Sequence, residues 1–285
     1  MIVEGQRNAF SVDVEDWFQV ANLSSAISFA SWDSRELRVQ RNMDLILNLM
    51  DKHNIRGTFF ILGWIARRIP SMVKDIVASG NEVGCHTEDH QCLYGTKPKE
   101  LHSSLSNLKK FLDDTSGKET MGFRAPNFSI REENWWVLDI LSQVGFKYDS
   151  SVFPFKRKSY GVADASWTPY EISLDSGNSI VEFPPTVLKL GKFTVPVGGG
   201  GYFRFFPYLF TRWSLRRIQN EGRPIFFYIH PWEVDPDQPR VGNLGRKEKF
   251  MHYVNLSKTH NRLERLFSDF QFVTYGELYE QFVAK

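Results

Sequence analysis

Residues 57–90, GTFFILGWIARRIPSMVKDIVASGNEVGCHTEDH, carry in one stretch the pattern that decides the fold. Residues 57–62 are a short apolar run of the kind that forms a strand buried on both faces. Residues 71–79 then place Val73, Ile76 and Val77 at helical spacing and stop at Gly80, a residue suited to a left-handed C′ position. Residues 81–85 form the next short strand, which runs directly into His86 and His90. A strand, a helix and a second strand in so few residues predict parallel pairing.

The same rhythm extends outward in both directions. Residues 9–14 read as a first strand, and 39–53 as a helix with Met43, Ile46, Leu47 and Met50 at helical spacing. Residues 98–113 form a helix with Leu101, Leu105, Leu108 and Leu112 on one stripe. Strand 120–123 delivers Arg124, helix 132–144 closes at Gly145, and 146–148 leads into Asp149. Every polar candidate sits just after a strand, so a parallel barrel would gather them at its C-terminal face. Between about 155 and 207 Pro, Gly and short β-like pieces dominate, which predicts an irregular β insertion shaping a groove. The βα pattern resumes with helix 208–220, strand 224–229, helix 254–267 and a strand and helix from 270 onward. The expectation is an α/β fold in a single domain, 1–285, without internal repeats.

A chain of 285 residues suits one α/β barrel. Aromatic residues make up 15%, which fits either a heavy core or a sugar-stacking groove. A net charge of +2 gives no reason to expect nucleic acid or anionic lipid as a partner. Residues 1–7 lack the pattern of a secretory signal and no run of about 18 apolar residues exists, so a soluble, cytoplasmic protein without an integral membrane segment is expected. The two cysteines, Cys85 and Cys92, are then expected as free thiols.

Two imidazoles four residues apart make half of an open metal site, and Asp with two His is a common three-ligand set that leaves a position for water. Taken alone, His86 and His90 are as compatible with chance as with a metal. Asp13, Glu15 and Asp16 supply the missing carboxylate; the bland alternative is a solvated loop end. A second carboxylate near the water would serve as its base. Arg124, at a strand end before Pro126, would orient that base rather than lie on the surface. His230, isolated at the end of an apolar strand, is either a core histidine or a proton donor. Trp17 and Trp232 adjoin these residues and are sugar-stacking candidates, with core packing the alternative. The Gly198–Gly201 run lacks the Lys and Ser/Thr of a phosphate loop and reads as flexible backbone near a groove. No Gly-x-Ser-x-Gly elbow is present.

Taken in order, these motifs resemble the polysaccharide deacetylases of carbohydrate esterase family four. Ser-Val-Asp13-Val-Glu-Asp16, His86-Thr87-x-x-His90, Arg124-Ala125-Pro126, Tyr148-Asp149-Ser150-Ser151 and Ile229-His230-Pro231 look like its five successive motifs. The forms Asp-Val-Glu-Asp-Trp-Phe and His230-Pro-Trp-Glu-Val-Asp-Pro-Asp-Gln-Pro-Arg240 look closest to a bacterial subgroup associated with exopolysaccharide biosynthesis. The resemblance implies a distorted (β/α) barrel, often of seven strands, and a divalent ion, usually zinc. It implies Asp13 as general base, Asp16, His86 and His90 as metal ligands, and His230 as general acid. Arg124 would hold Asp13, Asp149 would orient His230 and raise its pKa, and the Asn127 backbone N–H would hold an oxyanion. Strand alternation puts Glu15 on the same side as Asp13 and makes it the rival ligand to Asp16. The implied function is metal-dependent removal of N-acetyl groups from amino sugars of a polysaccharide or its precursor. Association with polysaccharide-synthesis machinery is compatible with that subgroup. A small-amide hydrolase of the same fold, allantoinase-like, and a catalytically silent carbohydrate-binding component are the rivals.

Overall fold

The computed structural model describes residues 8–155 and 161–284; residues 156–160 of the expected insertion and the N-terminal residues 1–7 lie outside them. At its centre is β1 (Asn8–Val14), buried at all seven positions, as a strand covered on both faces must be. Around it stand β2 (Thr58–Ile61), β3 (Glu82–Cys85), β4 (Gly122–Phe123), β5 (Tyr148–Asp149), β6 (Tyr170–Ser173), β7 (Ser179–Glu182), a separate hairpin of β8 (Val187–Leu190) and β9 (Phe193–Pro196), then β10 (Phe226–Ile229) and β11 (Phe272–Val273). The sheet order is β10-β1-β2-β3-β4-β5-β7-β6, with β11 also on β1. Seven strands from β10 to β7 run parallel along this path, and β6 is antiparallel.

The sheet curls into a distorted half-barrel. Between β7 and β10 the wall is completed by irregular backbone: Thr186 Oγ1 accepts from Phe226 N at 2.7 Å, and Gly198 O accepts from Tyr228 N at 2.8 Å. The region expected as an insertion therefore supplies β7, a strand of the barrel itself. Its few residues, set among Pro and Gly, carry too little periodicity to be recognised as such.

Helices α1 (Val39–Lys52), α2 (Gly63–Arg68), α3 (Pro70–Ala78), α4 (Pro98–Ser116) and α5 (Trp136–Val144) cover the first half, and α6 (Gly200–Phe205), α7 (Tyr208–Asn220), α8 (Arg246–Tyr253), α9 (Leu256–Asp269) and α10 (Tyr275–Val283) the second. Gly80 and Gly145 adopt φ of 76° and 101° just past α3 and at the end of α5, the stop signals read from the sequence. Among the described residues no helix is long and apolar enough to cross a membrane.

Inside the barrel Phe60, Tyr148, Phe183 and Phe226 gather around Tyr275, with ring centroids 5.5–6.0 Å from it. Most of the aromatic excess is core. This plug, each ring contributing about 2–3 kcal/mol of burial, forms the floor on which the polar residues at the strand ends rest.

Candidate active site

Strand β1 builds the first wall. Its alternation puts Ser11, Asp13 and then Glu15, just past the strand end, on one side. A tight turn, Glu15 N donating to Asp13 O at 3.0 Å, ends the strand there. Arg124, 1% exposed, lies on the Phe60 ring at 4.3 Å and spends its fork on this wall and the next. Nη1 donates to Ser11 Oγ and to Asp13 Oδ1, both at 2.7 Å; Nη2 donates to Ser150 Oγ and Tyr275 Oη; Nε donates to Ser150 O. Asp13 is thus fixed by one oxygen and presents the other, Oδ2, 4.0 Å from His230 Nε2.

His86 follows β3 and is buried. Its Nδ1 lies 2.8 Å from Arg124 O, an acceptor only, so Nδ1 carries the proton and Nε2 keeps its lone pair. Burial outweighs the nearby Asp13 charge and pushes the His86 pKa down to about 4, which leaves a neutral imidazole. The His90 ring stands 5.3 Å from it, and His90 Nε2 is 3.0 Å from Glu15 Oε2. Burial would raise the Glu15 pKa, but His90 and His230 outweigh it and hold the carboxylate at about 2. The loop is strained: Thr87 and His90 have φ of 66° and 58°, and across the site Asn127 and Phe128 have 55° and 52°. Such backbone costs about 1–3 kcal/mol per residue and clusters at functional sites.

Asp16 does not join this group. It points to the other side of the chain, where Oδ2 accepts from Arg38 N at 2.7 Å and Val39 N at 2.9 Å and Oδ1 from Trp17 N at 2.7 Å. It satisfies the first N–H groups of α1. The expected ligand set of Asp16, His86 and His90 is corrected accordingly: the carboxylate beside the imidazoles is that of Glu15. The physical reason is the strand alternation that favoured Glu15 in the sequence.

The second correction concerns Asp149. It is buried at the end of β5, accepts from Ser151 Oγ at 2.6 Å and Ser151 N at 3.1 Å, and stands beside Glu182 in the β5–β7 register. The carboxylate at His230 Nδ1 is Glu233, 3.2 Å away, which also accepts from His230 N. Glu233 is held in turn by the buried Arg204 at 2.7 Å. Burial lowers the His230 pKa, yet Glu15, Glu233 and Asp13 together lift it to about 9, so the ring is protonated at neutral pH. Nε2 of His230 faces Glu15 Oε1 at 3.3 Å.

Trp17 and Trp232 are each 3% exposed and offer no open stacking face. Trp232 lies stacked between His230 and His252, centroids 5.4 and 4.4 Å away, with Nε1 3.4 Å from Glu15 Oε1. It holds the His230 ring in place and reaches the Glu15 carboxylate. Trp17 donates to Glu36 O and keeps an edge on a neighbouring cavity. Asn127 reaches away to Cys92 Sγ at 3.3 Å, and both cysteines are free thiols. Glu233 and Arg204 are the residues that sequence reading missed. His230-Pro-Trp-Glu233 has the three-residue spacing of a capping box and was a usable signal; Arg204 offered none.

A divalent ion finds fitting residues here. The Glu15 Oε2 atom is buried and its facing partner is His90, while His86 offers a neutral, oriented nitrogen. Among the described residues no three His, Cys, Asp or Glu side chains already converge as a closed set; Glu15 and His90 pair with each other instead.

Residues 27–148 match the polysaccharide deacetylase family model, and 150–280 match a domain of unknown function, DUF3473. His86, His90 and Arg124 fall in the first match, Arg204, His230 and Glu233 in the second. A peptidoglycan deacetylase of Helicobacter pylori is 28% identical over 137 residues, 46% of this chain and 44% of its own. A peptidoglycan-N-acetylglucosamine deacetylase of Bacillus cereus is 30% identical over 87 residues, 30% of this chain and 40% of its own. The chain thus spans less than half the length of either relative. The structure superposes on a Mycobacterium smegmatis protein solved as a candidate polysaccharide deacetylase with a TM-score of 0.63 at 18% identity, covering 99% of this chain and 92% of that one. It superposes on the allantoinase PuuE at 0.62 and 14%, again covering 99% and 92%, a likeness of fold. Residues 27–148, which hold His86, His90 and Arg124, are thus similar to polysaccharide deacetylases by the family model and by these relatives.

Proposed function

We propose that this protein is a metal-dependent hydrolase that removes N-acetyl groups from amino sugars of a polysaccharide or its precursor, a sugar polymer of the exopolysaccharide kind. The observation that carries this reading is the convergence, at the C-terminal ends of β1, β3, β4 and β10, of Asp13 held by Arg124, of Glu15 beside His86 and His90, and of His230 backed by Glu233. The H. pylori and B. cereus relatives, both peptidoglycan deacetylases, support the substrate class.

Glu15, His86 and His90 would hold the ion, zinc by the preference of a carboxylate and two imidazoles, and when bound it supplies Lewis-acid polarisation of the acyl carbonyl and a more acidic water. Asp13, anchored through Oδ1, has Oδ2 open to take the proton of the attacking water. The amide C–N bond breaks only if its poor leaving amine gains a proton. His230, protonated and facing the same carboxylates, gives it, and acetate and a free amine leave. The Asn127 segment, held in left-handed backbone beside Arg124, stays the candidate for oxyanion contact.

The test is acetate release from N-acetylglucosamine oligomers by the purified protein, with chelator and with added zinc, His86→Ala serving as blank. Release that needs the metal and vanishes in the variant is expected. A protein that binds the ion stoichiometrically yet releases no acetate from any oligomer would sink this reading.

A further inference from the structure

Outside the catalytic cluster, a cavity of about 280 Å³ opens between Trp17, Ala26, Ile27 and Arg35 on one side and Pro239, Arg240 and Val241 on the other. Its walls are as polar as they are apolar, its lining holds two arginines, Asn243 and no acid, and its size suits one sugar ring. Among the described residues neither guanidinium has a carboxylate partner. Arg35 Nε is buried without a hydrogen-bond acceptor, and Arg240 lies over the Tyr253 ring at 4.2 Å. Arg35 is half-buried and Arg240 exposed, so both guanidiniums are within reach of a solute in the cavity.

Both walls are built rather than loose. The Trp17 indole N–H donates to Glu36 O at 3.1 Å, which ties Trp17 to the Arg35 segment. Opposite, Tyr253 Oη accepts from Val241 N and donates to Pro239 O, while His252 Nε2 and Gln238 Oε1 lie 2.7 Å apart, and Gln238 Nε2 donates back to Trp232 O. The run from His230 to Arg240, singled out in the sequence, thus has two ends: one at the proposed acid and one on this cavity. Trp17 follows Glu15 by two residues, so their Cα atoms lie within about 7 Å.

We propose that this cavity is a subsite for an anionic sugar residue, a uronate or a phosphorylated sugar, whose carboxylate or phosphate is gripped by Arg35 and Arg240 while its ring lies against Pro239 and Val241. Guanidinium forks match both anions bidentately, and Pro239 and Val241 offer apolar surface to the face of a pyranose. The inference rests on the deacetylase reading for its direction: the acetylated sugar would sit at His230 and its acidic neighbour here.

Binding is read without turnover, by calorimetric titration of the full chain at low ionic strength with glucuronate, glucose 6-phosphate and glucose. At least one acid is expected to bind about ten- to a hundredfold more tightly than glucose, and the tighter of the two names the anion. Arg240→Gln and, independently, Arg35→Gln should abolish the difference, and Arg240→Lys should restore only part of it. Equal binding of acid and neutral sugar, no binding of any of the three, or discrimination that survives in both folded glutamine variants overturns the proposal. Acid binding by a protein that deacetylates nothing would leave the subsite standing and remove the reaction; acetate release without acid discrimination would do the reverse.

Discussion

At the scale of single residues the site is governed by what flanks His230. Burial alone would strip its proton; Glu15 and Asp13 on the Nε2 side and Glu233 on the Nδ1 side reverse that and lift it to about 9. Glu233 can do so because, although burial opposes it, Arg204 holds it at about 2. Removing the Glu233 charge lowers the His230 pKa, so in Glu233→Gln the fall of kcat/KM with rising pH should begin at lower pH than in the parent. The amide oxygen still accepts from Arg204, whose Nη atoms also reach the carbonyls of Met251, His252 and Val254. A pH profile of the metal-loaded variant that overlays the parent's would assign Glu233 a purely structural role. The sequence placed Asp13, Arg124, His86, His90 and His230 because each ends a strand. It misassigned the partner of His230 because a motif's position does not say which carboxylate a ring nitrogen meets. Arg204 could not be found at all, lying in a stretch without periodicity.

At the scale of elements, the turn after β1 divides two neighbouring acids between two jobs. Glu15 faces the imidazoles, and Asp16 faces the start of α1. Burial pushes the Asp16 pKa up to about 6, although three backbone N–H groups favour its charged form. Asp16→Ala should therefore cost about 1–2 kcal/mol of stability, as lost caps do, while bound zinc stays stoichiometric. Glu15→Ala should lose zinc and activity while keeping the melting temperature within a few degrees; metal analysis beside thermal melts distinguishes the pair, and loss of zinc from the Asp16 variant alone would restore Asp16 as the ligand. The glycine run at 198–201 follows the same logic of close approach. A Cβ at Gly199 would meet the Tyr228 ring and one at Gly200 the Glu233 carboxylate, so the run begins α6 hard against the partner of His230 rather than flexing over a groove. Sequence reading caught the long amphipathic helices and the buried strands β1, β2 and β3, whose runs are apolar enough to be unambiguous. It missed α2, α6 and β7, each no longer than six residues, because so short a segment takes its conformation from its neighbours.

At the scale of the whole molecule, closing the barrel has a consequence at the β5–β7 seam. Asp149 and Glu182 stand opposite each other in register, both 0% exposed, next to the positive Arg124. Two carboxylates cannot both ionise there. Burial raises both; Asp149 lies at about 6, and Glu182, raised further by the Asp149 charge, lies well above the carboxylate range and keeps the shared proton. An unfolded Glu titrates near about 4.3. Between that value and its raised folded value, native Glu182 holds a proton that the unfolded chain has released, so stability falls as pH rises through the window and is fully retained below it. Glu182→Gln removes the ionisation and still offers an N–H to Asp149 and an oxygen to Val152 N, which now donates to Glu182 Oε1 at 3.0 Å. The melting temperature of the variant should match the parent's at pH 5 and exceed it increasingly towards pH 8. Melting curves that run parallel from pH 5 to 8 would mean that Glu182 carries no extra proton, and that the seam is closed by Arg124 compensating two charges instead of one.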